Sequence, residues 1–274
     1  MTRSQPIIIT DLDGTLLDQE TYSYEACLPA IRKLLSLDLP LILCSSKTCS
    51  EIVPLWQELS LKDPFIVENG GAIYFPTGYF PFPIQGIKHK GSFEALELGT
   101  NVSTLRQVLA ETASQFGVRV RSFGTMDLDE ISALTGLKRD QSFRAMQREY
   151  DEPFLVEEGD PEKLFAALGA KGLTLTHGGR FFHLSGRHDK GKAVRILLDL
   201  YRRGEAPIFS VALGNSVNDL PLFGQIDRPI LIRNHNGSYD PDVVKGMPQI
   251  ERTESIGPHG WREAIERILA GERR

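Results

Sequence analysis

Ile7-Ile8-Ile9-Thr10 passes without a break into Asp11-Leu12-Asp13-Gly14-Thr15. A continuous apolar, β-branched run suits a strand covered on both faces, the condition of strands in a parallel sheet. The same pattern recurs. Leu39-Pro40-Leu41-Ile42-Leu43-Cys44 runs into Ser45-Ser46-Lys47-Thr48, and Ile208-Phe209-Ser210-Val211-Ala212-Leu213 runs into Gly214-Asn215-Ser216-Val217-Asn218-Asp219. Helical patterns at about 24–37, 48–59, 190–201, 218–223 and 258–270 separate these runs, and residues 64–68 and 229–232 read as further strands. Such alternation predicts an α/β fold, with a doubly wound, Rossmann-like parallel-sheet core.

The stretch Pro76 to Gly86 is rich in proline and glycine and breaks the rhythm, as domain boundaries tend to do. Beyond it the order changes. A strand, a helix at 101–116, a strand at 118–121, short helices within 127–148, a segment at 153–157, a helix at 161–170 and strands near 173–177 and 181–184 describe an inserted α+β unit. The expected division is a core of 1–84 with 188–274 and an insertion of 85–187.

No run of the 274 residues approaches the roughly 18 apolar residues of a membrane span, and the N-terminus lacks the pattern of an export signal. With 31 Lys and Arg against 36 Asp and Glu, and no basic block among aromatics, nucleic acid is not the expected partner. A small molecule is. Cys27, Cys44 and Cys49 have no metal-ligand spacing and are odd in number, which fits reduced thiols in a cytoplasmic protein.

In an open parallel sheet, ligands gather beyond the carboxyl ends of the strands. Asp11 and Asp13, at i and i+2, project to the same side and can share one site. One carboxylate can attack phosphorus while the other protonates the leaving oxygen and later activates water. Crowded carboxylates call for a hard cation, and Mg²⁺ is the natural one. Gly14 permits a tight turn near phosphate, and Thr15 adds a hydroxyl. Turn formation or helix capping is the plainer alternative for the two aspartates.

The five residues from Asp11 to Thr15 match the D-x-D-G-T motif, and the chain here resembles the haloacid dehalogenase-like phosphohydrolases. That resemblance implies Asp11 as nucleophile, Asp13 as general acid and base, Ser45 as a phosphate-binding hydroxyl, and Lys190 as the lysine ahead of a helix. It also implies that Asp11, Asp13, Asn215 and Asp219 surround Mg²⁺, and that the insertion is a type IIB cap. The usual G-D-x-x-N-D has aspartate where this chain has Asn215, so a weaker hold on metal is expected. Ser46, Lys47, Asn69 and Asn218 are expected near the phosphate.

Cys44 to Thr48, Val67-Glu68-Asn69-Gly70-Gly71-Ala72-Ile73 and Arg148-Glu149-Tyr150-Asp151-Glu152-Pro153-Phe154 further resemble the mannosyl-3-phosphoglycerate phosphatase family. The resemblance implies a phosphorylated sugar acid as substrate, carrying a mannosyl or glucosyl group. Arg144, Arg148 and Arg180 are candidates for its carboxylate, Glu152 and His183 for sugar hydroxyls, and Gly178 and Gly179 for backbone donors. Another sugar phosphate as substrate, phosphosugar mutase activity, and ligand binding without turnover are the alternatives. A monomer or a homodimer is expected.

Overall fold

The computed structural model describes residues 5–178, 180–204 and 207–271. Six strands come first: β1 (Gln5–Thr10), β2 (Leu41–Cys44), β3 (Phe65–Val67), β4 (Ala72–Pro76), β5 (Ile87–Lys90) and β6 (Phe93–Glu97). Four follow, β7 (Arg119–Ser122), β8 (Asp151–Glu158), β9 (Thr174–Gly178) and β10 (Phe181–Ser185), and β11 (Ile208–Gly214), β12 (Arg228–Arg233) and β13 (Glu251–Ile256) complete the set.

Nine of them form one sheet in the order β13-β12-β11-β1-β2-β3-β4-β6-β5. Pairing is parallel from β13 to β3 and antiparallel from β3 to β5. Ile8 stands opposite Val211 on one side and Leu41 on the other, which places β1 at the centre. Alternating side chains of the isoleucine run feed two layers. Ile8 packs with Ile31, Leu34, Trp261 and Ile265, while Ile7 and Ile9 pack with Ala193, Val194 and Leu197. Each fully buried isoleucine contributes about 1.5–3 kcal/mol, which explains why no polar residue interrupts the run.

The division expected after residue 84 is displaced by the sheet itself. β6 pairs with β4 and β5 with β6, so residues 87–97 continue the large sheet. The stretch at 76–86 is a loop that folds back. Tyr79, Phe80 and Ile84 pack on the core, and the Tyr79 hydroxyl lies 3.1 Å from Asp63 Oδ1 and 2.7 Å from the Tyr201 hydroxyl. Proline and glycine interrupt a hydrogen-bond ladder without interrupting packing. The sequence reading also lacks β4, β13 and the short helix Pro241–Gly246.

The second sheet, β7-β8-β10-β9, is antiparallel throughout. Helices Val102–Gln115 and Pro161–Ala170 cover it through Leu105, Leu109, Leu164 and Leu168. Helices Leu128–Thr135 and Arg139–Ala145 complete this α+β unit. The two units are tied closely. The buried Glu68 carboxylate accepts the backbone N–H groups of Glu149 and Tyr150 at 2.9 Å each, and the Thr48 hydroxyl donates to the Arg144 carbonyl at 3.0 Å. Tyr150 is wedged between Gly71 and Gly99, where any side chain would begin 2.6 Å from its Cβ. Among the described residues no helix is long and apolar enough to cross a membrane.

Candidate active site

The carboxyl ends of β1, β2, β11 and β12 lie side by side along one edge of the sheet, as the parallel order requires. The Asp11 N–H donates to the Leu213 carbonyl at 2.9 Å, carrying the ladder one residue past β1 and fixing the Asp11 backbone. Helix Lys190–Arg202 begins beside it, capped by Asp189, whose side chain accepts the Lys192 N–H at 2.8 Å. Lys190 is thereby aimed inward. Its Nζ donates to Asp11 Oδ1 and to Asp219 Oδ1, both at 2.7 Å, and all three side chains are buried.

Burial is the largest influence on Asp11 and, with Asp219 and Asp13 nearby, pushes its carboxyl up to about 7 against the opposing pull of Lys190. Burial works to lower Lys190 as well, but Asp11 and Asp219 outweigh it and hold the ammonium charged. The second oxygen of Asp219 accepts the N–H groups of Asn215 at 3.0 Å and Ser216 at 3.2 Å. Both Asp219 oxygens are engaged, and through them the residue positions Lys190 and the 214–216 backbone.

Oδ1 of Asp13 is buried and receives no hydrogen bond, and the Lys47 ammonium stands 2.9 Å from it as an ion pair. Lys47 also lies over the Tyr22 ring, 5.2 Å from its centroid. Ser45 is fully buried; its hydroxyl oxygen accepts the Lys47 N–H at 3.2 Å and its carbonyl accepts the Asn69 N–H at 2.9 Å. Asn218 Nδ2 donates to Asn69 Oδ1 at 3.4 Å, bringing the ends of β3 and β11 together. Glu68 and Asn69 both carry left-handed backbones, with φ of 46° and 56°. Consecutive non-glycine residues in that region cost free energy, and such strain collects at functional sites.

Asn215 is nearly buried, within 3.3 Å of the Thr15 hydroxyl, which donates to its Oδ1. Its Nδ2 donates to Asn234 Oδ1 at 2.8 Å. Asn234 was not among the sequence candidates. The signal was present, because it is the second residue after the strand expected at 229–232 and so belongs to a fourth strand end. Oxygen donors from Asp11, Asp13 and Asn215 are the ligand type that Mg²⁺, a hard cation, prefers. Among the described residues no three His, Cys, Asp or Glu side chains are grouped to hold a metal.

The inserted unit departs further from expectation. Arg148 is nearly buried and donates from Nη1 to the Ser46 carbonyl at 2.9 Å and to Asp151 Oδ2 at 3.0 Å, so it tethers the phosphate-side loop instead of standing free for a carboxylate. Arg144 points outward along its helix toward Asp140, 3.7 Å away. Glu152 is spent on Arg106 Nε at 2.8 Å and the Gly124 N–H at 2.7 Å. His183 Nδ1 sits 2.9 Å from Asp151 Oδ2 and keeps a quarter of its side chain exposed. Arg180 is exposed in the turn after Gly178, which ends β9, and Gly179 lies outside the described residues.

Solved structures with this architecture include a haloacid dehalogenase-like hydrolase from Bacteroides thetaiotaomicron, with a TM-score of 0.66 at 19% identity over 97% of this chain and 100% of that one. The sucrose-phosphatase of Synechocystis, solved with sucrose and phosphate, gives a TM-score of 0.59 at 16% identity over 97% and 99%. Residues 8–83 match the family described as haloacid dehalogenase-like hydrolase, and that is the class the fold and the strand-end cluster define. A glucosyl-3-phosphoglycerate/mannosyl-3-phosphoglycerate phosphatase of Methanococcoides burtonii is 41% identical over 96% of this chain and 97% of its own. The mannosyl-3-phosphoglycerate phosphatase of Pyrococcus furiosus is 39% identical over 82% and 90%. The chain belongs to this phosphatase family within the haloacid dehalogenase-like hydrolases.

Proposed function

We propose that the chain hydrolyses mannosyl-3-phosphoglycerate or its glucosyl analogue to the glycosylglycerate and phosphate. The observation that carries the chemistry is the buried Lys190 bridge between Asp11 and Asp219, which sets one Asp11 oxygen in place beside the second acid. The substrate is inferred from the relatives' names.

Asp11 attacks phosphorus, forming an Asp11–O–P bond as the P–O bond to the glycerate breaks, and Asp13 gives its proton to the departing oxygen. Water then attacks phosphorus, losing a proton to Asp13, and the Asp11–phosphorus bond breaks to release phosphate. Ser45 and Lys190 hold the phosphate oxygens, with Lys47, Ser46, Asn69 and Asn218 at the mouth. Mg²⁺, held by Asp11, Asp13 and Asn215, supplies charge neutralisation of the phosphoryl oxygens when bound. The 98–187 unit acts as the cap, excluding water and presenting the sugar to His183 and the carboxylate to Arg180. The three free thiols suit a reducing cytoplasm.

Phosphate release from mannosyl-3-phosphoglycerate in Mg²⁺ is the test. D11N should abolish it, and undiminished turnover would remove Asp11 from its role. A panel of hexose phosphates hydrolysed far faster than the glycosylated phosphoglycerates would overturn the substrate assignment.

A further inference from the structure

We infer that Asn234 and Asn215 form a matched amide pair that fixes a neutral oxygen at the metal site, so that Mg²⁺ binds tightly only together with a phosphate-bearing ligand. The inference rests on the proposed phosphate and Mg²⁺ site and names what this chain adds to it.

The pair is oriented by the backbone. Asn234 Nδ2 donates to the Asn215 carbonyl at 3.3 Å. A carbonyl only accepts, so the amide nitrogen of Asn234 must face it, and Oδ1 is left facing the Asn215 side chain. That position needs a donor, which Asn215 Nδ2 supplies at 2.8 Å. A carboxylate at 215 would set acceptor against acceptor. Asn234 cannot turn over to relieve this, because its Oδ1 would then confront the 215 carbonyl. Its backbone is held as well, by N–H to Ser238 at 2.9 Å and by its carbonyl to the Gly237 N–H at 2.8 Å.

The other side of Asn215 is closed by the nucleophile loop. Gly14 has φ of 72°, and a Cβ there would lie 2.5 Å from Asn215 Nδ2. The amide is therefore gripped from two strand ends with its oxygen turned toward Thr15. Asp11, Asp13 and Asp219 are paired with the Lys47 and Lys190 ammonium groups, so the site carries little net charge of its own. A dication makes the site positive, and a phosphate dianion offsets that charge. Metal and phosphate thus favour each other's binding, and the linkage is reciprocal.

Calorimetric titration of Mg²⁺ into the full chain, alone and with saturating inorganic phosphate, reads this linkage directly. Phosphate should tighten Mg²⁺ binding at least about tenfold, within the usual range of site-to-site coupling. N215D/N234S restores a carboxylate and gives it a hydroxyl donor; it should bind Mg²⁺ alone at least about tenfold more tightly, with a smaller phosphate effect. N215D by itself, still facing the Asn234 oxygen, should gain less. Equal affinity for Mg²⁺ with and without phosphate in the unaltered protein would overturn the inference, and so would N215D gaining as much as the double variant. Linkage without hydrolysis of the glycosylated phosphoglycerates would sink the substrate assignment alone. Hydrolysis without linkage would sink the inference alone.

Discussion

The indole N–H of Trp261 donates a 3.0 Å hydrogen bond to Oγ1 of Thr10, whose hydroxyl donates in turn to the carbonyl of Asp11 at 2.7 Å. All three residues are buried, so the helix Gly257–Ala270 is wired through one threonine to the backbone of Asp11, the proposed nucleophile. W261F keeps the ring's apolar bulk and removes the donor. It should lower stability by about 0.5–1.5 kcal/mol, the net worth of one buried hydrogen bond, since the Thr10 hydroxyl keeps its bond to the Asp11 carbonyl. Unchanged melting and urea midpoints would show that the indole N–H contributes nothing.

Lys190 sits between two buried carboxylates, and removing it leaves both uncompensated. K190M should destabilise by about 3–5 kcal/mol. It should also reduce turnover to background. In D11N/K190M one of the stranded charges is gone, so the double variant should be more stable than K190M. Urea unfolding of the three proteins checks this; additive losses would argue against direct coupling.

Glu68 holds the two units together by accepting the amides of Glu149 and Tyr150. E68A should release them. Hydrogen exchange at those two amides should accelerate, and kcat/KM for the glycosylated phosphoglycerate should fall about tenfold, equivalent to about 1.4 kcal/mol. Exchange rates identical to the unaltered protein would show that the carboxylate does not restrain the crossing segment.

His188 is nearly buried, with Nε2 3.1 Å from the Glu68 carbonyl and Nδ1 without a hydrogen-bond partner. The carbonyl accepts, so Nε2 carries a proton, and a buried Nδ1 without an acceptor favours the neutral ring. Burial lowers its pKa below 6.5, while Asp151 and Asp189 oppose and Lys192 assists. A depressed histidine pKa means the unfolded chain binds the proton more readily. Stability from this site is therefore complete above about pH 6.5 and declines as pH falls through the depressed folded value. Glu68 works oppositely, since burial raises its carboxyl to about 7 and its contribution is lost as pH rises from about 4.5 to 7. H188Q should flatten the acid-side loss in a pH series of urea midpoints, and an unaltered acid limb would refute the neutral-ring assignment.

The parallel core was legible because burial on both faces leaves no choice of residue along β1, β2 and β11, and because their polar ends are compact in sequence. Asp11 and Asp13 could be named for that reason, whereas Ser45 and Lys190 were named through the family resemblance. The partners of Asp219 were not legible, since a carboxylate looks the same in sequence whatever it faces, and the two amides and the Lys190 ammonium come to its oxygens only through the fold. Arg148 and Glu152 were misread for a related reason. Their partners, Ser46, Asp151, Arg106 and Gly124, are set by docking and sheet register that no local pattern encodes. The hairpin of β5 and β6 escaped because a breaker-rich loop signals the end of an element, not the end of a sheet.

That hairpin also determines how the sheet ends. β5 forms the outer border with Lys88, His89 and Lys90 in succession, and across from them Glu94 and Glu97 lie 3.8 Å from His89 and 2.5 Å from Lys88. A charged border strand discourages the stacking of one sheet onto another, because a second copy would bring cation against cation along the exposed ladder. Edge-to-edge pairing of a second strand on this side is disfavoured by the border's own composition.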